Sequence, residues 1–336
     1  GALLQPLYGY LSDRWNSRAF TAFGPAISGF FICILGVTSS YSLMLIFVFF
    51  AGVGIAAFHP QGTALVSKSS KKNPAVQLSF FITFGMLGYA IGPMTMGSLV
   101  AFAGLRWSIL AAIPGLLVTL YVWTTDPLPV SKGMVTQHQE VFRSLRLNFR
   151  PLFLLFSLVI IKSSLQMAFV VFLPLFLVLR GYSEVSASQI LTLFLLVGAL
   201  SAFLGGILTD RIGGKSVLLI SMSGLTPSFL CFLATEGRIS IMFCIVGAGF
   251  LLMNSPVNIA MAQRLVPQGT GTVSALMMGF AWGIGGMSVP IIGWTSDTIG
   301  MTWSFLFLSL LGLPGLILAL CLPGKAGGIS GVRELV

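Results

Sequence analysis

Long apolar runs separated by short polar turns make up most of the chain. A membrane-spanning helix needs about 20 consecutive apolar residues, and runs of this kind predict ten full spans after a partial one at about 1–12. The full spans are predicted near 19–38, 42–66, 75–102, 107–124, 151–178, 186–208, 215–234, 238–262, 271–296 and 301–322. The pattern therefore predicts an all-α polytopic membrane protein.

Composition supports a membrane environment. Hydrophobic residues make up 56% of the 336 positions and charged residues only 8%, whereas soluble domains carry about 25% charged residues. The net charge of +10 could indicate nucleic-acid binding in a soluble protein. Here the cations lie in short loops between apolar runs, so we predict the lipid bilayer and not nucleic acid as the partner.

The lysines and arginines are unevenly divided between the two sides of the predicted bundle. Alternate loops place fourteen of them on one side and only three, Arg106, Arg180 and Arg238, on the other. Cytoplasmic loops of membrane proteins carry an excess of cations. We therefore predict that the side with fourteen cations, which includes the longest loop and the C-terminal tail, is cytoplasmic.

A polar turn between two apolar runs occurs twice in the chain. Its pattern is G-x-L-(S/T)-D-R, followed by a cation four residues after the arginine. The first copy contains Gly9, Asp13, Arg14 and Arg18, and the second, 197 positions later, contains Gly206, Asp210, Arg211 and Lys215. Other pairs recur at offsets of 195 to 197, among them Gly52 with Gly247 and Pro60 with Pro256.

The repeat divides the chain into two related halves. We predict a helix bundle at 1–124, a linker at 125–150, a second bundle at 151–322 and a tail at 323–336. Parallel repeats of this kind occur in secondary transporters, which bind substrate between the halves near the bilayer midplane. Within the linker, Val141, Phe142 and Leu145 can share one helical face, which predicts either a helix at the membrane surface or a solvated connector.

The repeated turn resembles a motif of the major facilitator superfamily, whose loop between the second and third helices reads G-x-L-x-D-R-x-G-R-(R/K). Asn16 of the first copy stands where the pattern has Gly, whereas the second copy has Gly213 there and fits better. A fifth-helix G-x3-G-P pattern associated with exporters in this superfamily resembles Gly88, Gly92 and Pro93, with Gly97 after them.

The stretch around His59, Pro60 and Gln61 is similar to the fourth helix of fosmidomycin-resistance-like drug efflux proteins, which often have Glu where this chain has Gln61. The resemblance implies two six-helix bundles that rock about a central site, with the first helix and part of the second expected before Gly1. It also implies a monomer in the plasma membrane, which is the inner membrane of a bacterium.

The resemblance further implies proton-coupled efflux of a small molecule or drug, driven by an ion gradient and without a cofactor. The alternative is a symporter or uniporter that imports a small organic anion, and a membrane sensor or scaffold without transport is least favoured. We do not expect an enzyme or a metal site, because the sequence has no nucleophile motif, Walker loop, metal-ligand spacing or paired mid-membrane carboxylates.

The two copies of the polar turn are candidates for a gate. A carboxylate such as Asp13 or Asp210 can interact with a neighbouring helix N-terminus, and the cations of the motif can hold helix ends or lipid phosphates. Such contacts can hold one conformation of a transporter and open in the other. The alternative is that the cations mark only the cytoplasmic side.

Lys162 is a charged residue within a predicted span. It lies roughly 16 Å into the helix at 1.5 Å per residue, near the bilayer centre, where a charge costs about 2.5–3.5 kcal/mol. We therefore predict that Lys162, with Gln166 one turn later on the same face, lines a cavity and contacts an anionic substrate or affects proton coupling. Snorkelling of the lysine to the interface is the alternative.

Three further polar residues are candidates for the substrate or proton pathway. His59, close to Gln61, can exchange a proton near neutral pH and is predicted to be a proton relay or a satisfied structural donor. Asn254 and Asn258, one turn apart in the counterpart span, are predicted to line the cavity or to pack between helices.

Gly85, Gly88, Gly92 and Pro93 place small residues along the predicted fifth helix. Small residues at this spacing are typical of closely packed membrane helices. We therefore predict tight contact between this helix and a neighbour.

Overall fold

The structure is a computed structural model in which residues 4–15, 18–69, 74–125 and 138–323 are described. All regular structure in these ranges is helical. The N-terminal half, 4–125, contains α1 (Gln5–Trp15), α2 (Arg18–Cys33), α3 (Tyr41–Ser69), α4 (Pro74–Ala103) and α5 (Ile113–Thr124). Short 3-10 segments extend α2 and precede α5, at Ile34–Val37 and Leu105–Ala112.

The C-terminal half, 138–323, begins with the linker helix and continues with longer and more often interrupted helices. Its first six are α6 (His138–Leu147), α7 (Phe149–Leu179), α8 (Glu184–Ile212), α9 (Gly214–Ala234), α10 (Gly237–Met253) and α11 (Ser255–Leu265). A 3-10 turn at Pro267–Gly269 leads to α12 (Thr270–Ser274), a π-helical turn (Ala275–Phe280), α13 (Ala281–Gly286), α14 (Ser288–Ile299), α15 (Met301–Leu310) and α16 (Gly312–Cys321).

Nine segments of the described chain are long and apolar enough to cross a membrane. They are Ala19–Val37, Tyr41–Val66, Leu105–Thr124, Phe149–Leu179, Val185–Ile212, Gly214–Ala234, Gly237–Leu265, Pro267–Ile299 and Met301–Cys321. They correspond to nine of the ten predicted full spans and confirm the polytopic all-α prediction. The remaining prediction, 75–102, falls in the continuous helix α4, whose described apolar stretch is Val76–Gly92.

Glycine and serine residues set several helix ends. Gly213 ends α8 with a φ of 87° and Gly300 ends α14 with a φ of 91°, which residues with a side chain rarely adopt. Ser183 begins α8, because its Oγ accepts a hydrogen bond from the backbone N–H of Ser186 at 3.2 Å. The glycine of the second polar turn therefore has a local conformational role.

The two halves approach each other mainly at one end of the bundle. We call this the linker end, because α6 lies there with the turn between α8 and α9, and we call the opposite end the far end. At the linker end, α1 packs against α12 and the π-helical turn, and α4 packs against α11. In addition α4 packs along α8, where Thr83 Oγ1 donates to the carbonyl of Ala199 at 3.2 Å.

Glycine permits the close approach of α1 to the C-terminal half. A Cβ atom on Gly9 would lie 2.7 Å from the carbonyl oxygen of Gly271 and 2.6 Å from Cβ of Ala275, and one on Gly279 would lie 2.3 Å from Cβ of Gln5. In the part of the chain that is described, α14 and α15 make no comparable packing with α2 or α5. The halves are therefore closed against each other at the linker end.

The linker helix α6 packs on the protein through Val141 and Leu145. Val141 is 8% exposed and lies against Gly269, and Leu145 is half-buried beside it, whereas Phe142 is 65% exposed. Phe142 does not take part in this contact, and the choice between a helix at the membrane surface and a solvated connector stays a prediction. Successive helical residues are rotated by about 100°, so a contact centred on Val141 leaves its neighbour outside.

The predicted tight contact of α4 with a neighbour is formed with α8, and among the described residues no neighbour packs against its glycines. A Cβ atom on Gly85, Gly88 or Gly92 would meet no heavy atom within 4 Å. The α4 helix packs through its opposite face, where Thr83 and Ala90 are buried towards α8. The side-chain surroundings of Pro93 and Gly97, the remaining members of the predicted packing motif, lie outside the described residues.

Candidate functional site: a cavity between the halves

A cavity of about 790 Å³ lies between the two halves. From the N-terminal half it is lined by Gln5, Ile55, Phe58, His59, Phe81, Ile82, Phe84, Gly85, Met86, Tyr89 and Val118. From the C-terminal half it is lined by Val159, Lys162, Gln166, Ser255, Asn258, Ile259, Met277, Met278 and Trp282. This size, a mostly apolar wall and a few polar groups are typical of small-molecule sites.

Lys162 is the cation on the cavity wall. It lies near the middle of the 31-residue helix α7 and is only 7% exposed. Among the described residues it has no hydrogen bond or ion pair, and no aspartate or glutamate lines the cavity. Because a charge near the bilayer centre is costly without a partner, the ammonium group depends on water or a bound anion for compensation.

Gln166 lies one turn after Lys162 and lines the same cavity, as their spacing predicts. Its Oε1 atom is buried without a hydrogen-bond partner. Gln5 on α1 has the same two properties, although sequence reasoning missed it. A lone amide within the apolar run at about 1–12 was the signal that could have identified it.

His59 lines the cavity from α3, and its Nδ1 atom is buried without a hydrogen-bond partner. The alternative interpretation was a structural histidine with its hydrogen bonds satisfied. At Nδ1 the described residues show no such hydrogen bond. Gln61 is buried but does not line the cavity, and its Oε1 is likewise unpaired. A role of either residue in a proton pathway stays a prediction.

The two asparagines were predicted to line the cavity or to pack between helices, and each is found in one of these two positions. Asn254 is fully buried at the break between α10 and α11, where its Nδ2 donates to Ser221 Oγ of α9 at 2.9 Å. Asn258 lines the cavity, and its Nδ2 donates to the carbonyl of Asn254 at 3.2 Å. Asn254 therefore packs between helices, while Asn258 leaves its Oδ1 unpaired beside the cavity.

The π-helical turn forms part of the wall, and no pattern in the sequence predicted it. Met277 and Met278 within it, and Trp282 just after it, all line the cavity. The following helix is held on α7, because Ser164 Oγ donates to the carbonyl of Gly285 at 3.3 Å. Widened turns of this kind are frequent at functional sites, and this one lies opposite α1 of the other half.

The second copy of the polar turn ties helix ends together within the C-terminal half. Asp210 accepts a hydrogen bond from Arg264 at the end of α11, with 3.2 Å between Oδ1 and Nη2. Lys215 Nζ donates to the carbonyl of Leu320 at 2.9 Å and also to that of Leu322. Arg211 is exposed and Gly206 is buried. The predicted ability of motif cations to hold helix ends is therefore seen at Lys215.

The first copy of the turn is described only in part. Gly9 lies at the tight contact between α1 and the C-terminal half. The side chains of Asp13, Arg14 and Arg18 lie outside the described residues. The assignment of both copies to a gate therefore stays a prediction, with Gly9 located at the surface where such a gate would act.

Comparison with known proteins agrees with this architecture. The sequence pattern of the Major Facilitator Superfamily matches residues 1–290. The chain belongs to the major facilitator superfamily. It is therefore a multi-pass membrane protein of a transporter family and not an enzyme.

Relatives in this superfamily cover most of the chain. The fosmidomycin resistance protein of Escherichia coli (strain K12) is 27% identical over 325 residues, which is 93% of this chain and 79% of that protein. The uncharacterised MFS-type transporter YfnC of Bacillus subtilis (strain 168) is 26% identical, covering 96% of this chain and 81% of that protein. The crystal structure of the superfamily transporter FucP in the outward conformation superposes with a TM-score of 0.78 at 17% identity, covering 96% and 87% of the two chains.

Proposed function

We propose that this superfamily member exports a small organic molecule by alternating access, coupled to the entry of protons. The observation that carries the proposal is a cavity enclosed between two halves that close on each other at the linker end. Rocking of the halves would separate α1 from α12 and bring the far ends together. The cavity would then change the side of the membrane to which it is open.

The proposed sidedness rests on the cations. The linker end carries the polar turns and the linker helix, which belong to the side with fourteen lysines and arginines. We therefore place this end in the cytoplasm and the protein in the plasma membrane. In the conformation described, the cavity is accordingly sealed from the cytoplasm.

The proposed direction rests on similarity. One relative is named for resistance to fosmidomycin, and export is a direct way for a transporter to give resistance. Gly88, Gly92 and Pro93 also resemble the exporter pattern on the fifth helix. Fosmidomycin is therefore the first compound to test with this chain.

Proton coupling is proposed to pass through groups on the cavity wall. Of the described residues that line the cavity, His59 and Lys162 carry the basic groups that can exchange a proton. His59 lies in the N-terminal half and Lys162 in the C-terminal half. A proton exchanged at either group would change the charge of the cavity between its two orientations.

The test is transport into inside-out membrane vesicles with an imposed pH gradient. With an acidic lumen, proton-coupled export predicts accumulation of labelled fosmidomycin in the lumen and its loss on addition of a protonophore. Vesicles without the protein are the control. Movement of the drug only in the same direction as protons would exclude export by antiport.

Import of a small organic anion by symport or uniport is the second candidate function. Lys162 favours it, because an unpaired cation on the cavity wall suits an anionic substrate. The same vesicles separate the two functions, since a symporter would release the anion from an acidic lumen together with protons. A uniporter would equilibrate it regardless of the pH gradient.

A further inference from the structure

We infer that the cavity selects small organic oxyanions against cations, and that Lys162 and Gln166 of α7 form the anion subsite. The inference rests on the proposed function for its biological setting, because it names the chemical class of the transported molecule. It does not depend on the direction of transport.

The charge of the cavity is the first argument. The described lining contains one lysine and no aspartate, glutamate or arginine. Lys162 is 7% exposed and has no ion pair within the described chain. In a water-poor environment opposite charges attract strongly and like charges repel strongly, so a cationic ligand would meet an uncompensated positive charge with no carboxylate to receive it.

The second argument is the neighbouring amide. Gln166 is 4% exposed, one helical turn from Lys162, and lines the same wall. Its side chain makes no hydrogen bond with the described residues. An amide N–H₂ beside an ammonium can donate to the second oxygen of a carboxylate or phosphonate, and hydrogen bonds to charged groups are the stronger kind.

Asn258, a third polar residue of the C-terminal wall, selects for a different part of the ligand. Asn258 is 1% exposed, and its Nδ2 is already used on Asn254. Its Oδ1 is therefore the free end and can only accept. A ligand with a hydroxyl or N–H group beyond its acidic group would satisfy this acceptor.

The N-terminal half forms the apolar side of the site. Phe58, Phe81 and Phe84 line it there, opposite Trp282. An oxyanion with an aromatic or aliphatic body can place its charge on α7 and its body against this wall. The cavity of about 790 Å³ is large enough for such a molecule.

The experiment measures binding to the full chain in detergent, through the fluorescence of its tryptophans, one of which lines the cavity at Trp282. The probes are phenylacetate, phenylphosphonate, phenylacetamide and phenethylammonium, which share an aromatic body and differ in charge. We expect either oxyanion to bind about ten- to a hundredfold more tightly than the amide or the ammonium probe, as for one charge-assisted hydrogen bond. The tighter of the two oxyanions identifies the preferred acidic group.

Variants of Lys162 and Gln166 test which side chains produce the preference for anions. Lys162→Gln should abolish the preference for anions, Lys162→Arg should retain most of it, and Gln166→Leu should weaken both oxyanions without strengthening phenethylammonium. Arg238→Gln removes one exposed cation of the same half that does not line the cavity, and it should leave the preference unchanged. If Lys162→Gln does not fold, the four probes on the unmodified protein still decide the question.

Two results would overturn the inference. One is phenethylammonium binding as tightly as phenylacetate to the unmodified protein. The other is an unchanged anion preference in folded Lys162→Gln, which would restrict Lys162 to proton transfer. Because binding needs no gradient, failure of export in vesicles together with selective anion binding would contradict the proposed function and leave the anion subsite in place.

Discussion

The α3 helix and the α10–α11 pair occupy equivalent places in the two repeats, yet only the second is interrupted. Pro60 lies inside the continuous 29-residue helix α3. Pro256 follows a break at Asn254, whose side chain bonds to Ser221 of a neighbouring helix. A proline at the same register therefore does not by itself fix the local geometry.

The halves also differ in how much they bury. The most apolar windows of the N-terminal spans have 11–22% of their residues buried, compared with 33–56% in the C-terminal spans. The main clusters of buried hydrophobic residues centre on the C-terminal half, where the rings of Phe169 and Phe229 stack at 4.2 Å. The C-terminal half therefore has a hydrophobic core of its own, and larger side chains introduced there should destabilise it.

The cavity shows a third difference. The C-terminal half provides Lys162, Gln166 and Asn258, whereas the N-terminal half provides mainly aromatic and aliphatic side chains with His59 and Gln5. The two related halves therefore line the cavity with chemically different side chains. In the proposed anion subsite, the C-terminal half would hold the polar group of a ligand and the N-terminal half its apolar body.

The largest expected effect is on packing within the C-terminal half. A Cβ atom on Gly205 would lie 2.0 Å from the carbonyl oxygen of Met253, and backbone cannot move aside easily. Gly205→Ala should therefore cost about 1–3 kcal/mol, the usual range for overpacking, and lower the thermal midpoint of the purified protein. Gly88→Ala, which enters open space, is the matched control, and equal losses in both variants would contradict the contrast between the halves.

The next effect is on the contact between the halves. Gly9→Leu should push α1 away from Gly271 and favour the conformation that is open at the linker end. A cysteine introduced at Ile259, which lines the cavity, should then react about tenfold faster with an impermeant maleimide added from that side, since overpacking of this size shifts a two-state equilibrium by about that factor. Gly88→Leu is the control, and unchanged labelling in Gly9→Leu would remove Gly9 from the gate.

Substitution of Asn254 should mainly lower stability, whereas substitution of Asn258 should mainly weaken ligand binding. Asn254→Ala removes the hydrogen bond that Ser221 Oγ accepts, while Ser221 keeps its bond to the carbonyl of Phe250. The loss of this bond should lower stability by about 0.5–1.5 kcal/mol, with ligand affinity preserved in the folded fraction. Asn258→Ala should cost less stability and weaken ligands that carry a hydroxyl or N–H group. Thermal midpoints and the fluorescence assay measure both quantities, and loss of affinity in Asn254→Ala alone would reverse the assignment.

The smallest effect concerns the linker helix. Val141→Ala shrinks the contact with Gly269 and should cost about 1 kcal/mol of docking energy, so trypsin should cut at the arginines of α6 faster. Phe142→Ala changes an exposed side chain and should leave the cleavage rate unaltered. If only Phe142→Ala accelerates cleavage, α6 is held by a surface other than the one described.

Much of the fold could be predicted because its signals are local. Apolar runs identified nine described spans, and the polar turn at Asp210 marked a helix boundary that Gly213 sets by its positive φ. The sequence also predicted that Lys162 lines a cavity, because an isolated charge within an apolar helix needs a polar environment. By contrast, the stripe of small residues on α4 did not identify the face that contacts α8, because small size permits close packing but does not choose the face.

The sequence by itself therefore determined the membrane class, nine of the spans, the repeat and the superfamily, since each can be read from short local patterns along the chain. Only the tertiary structure decided that Gln5, Lys162, Asn258 and Trp282 share one cavity. It also decided that Asn254 serves packing while Asn258 serves the cavity. These assignments depend on contacts between residues far apart in sequence, and such contacts are fixed when the two halves pack against each other.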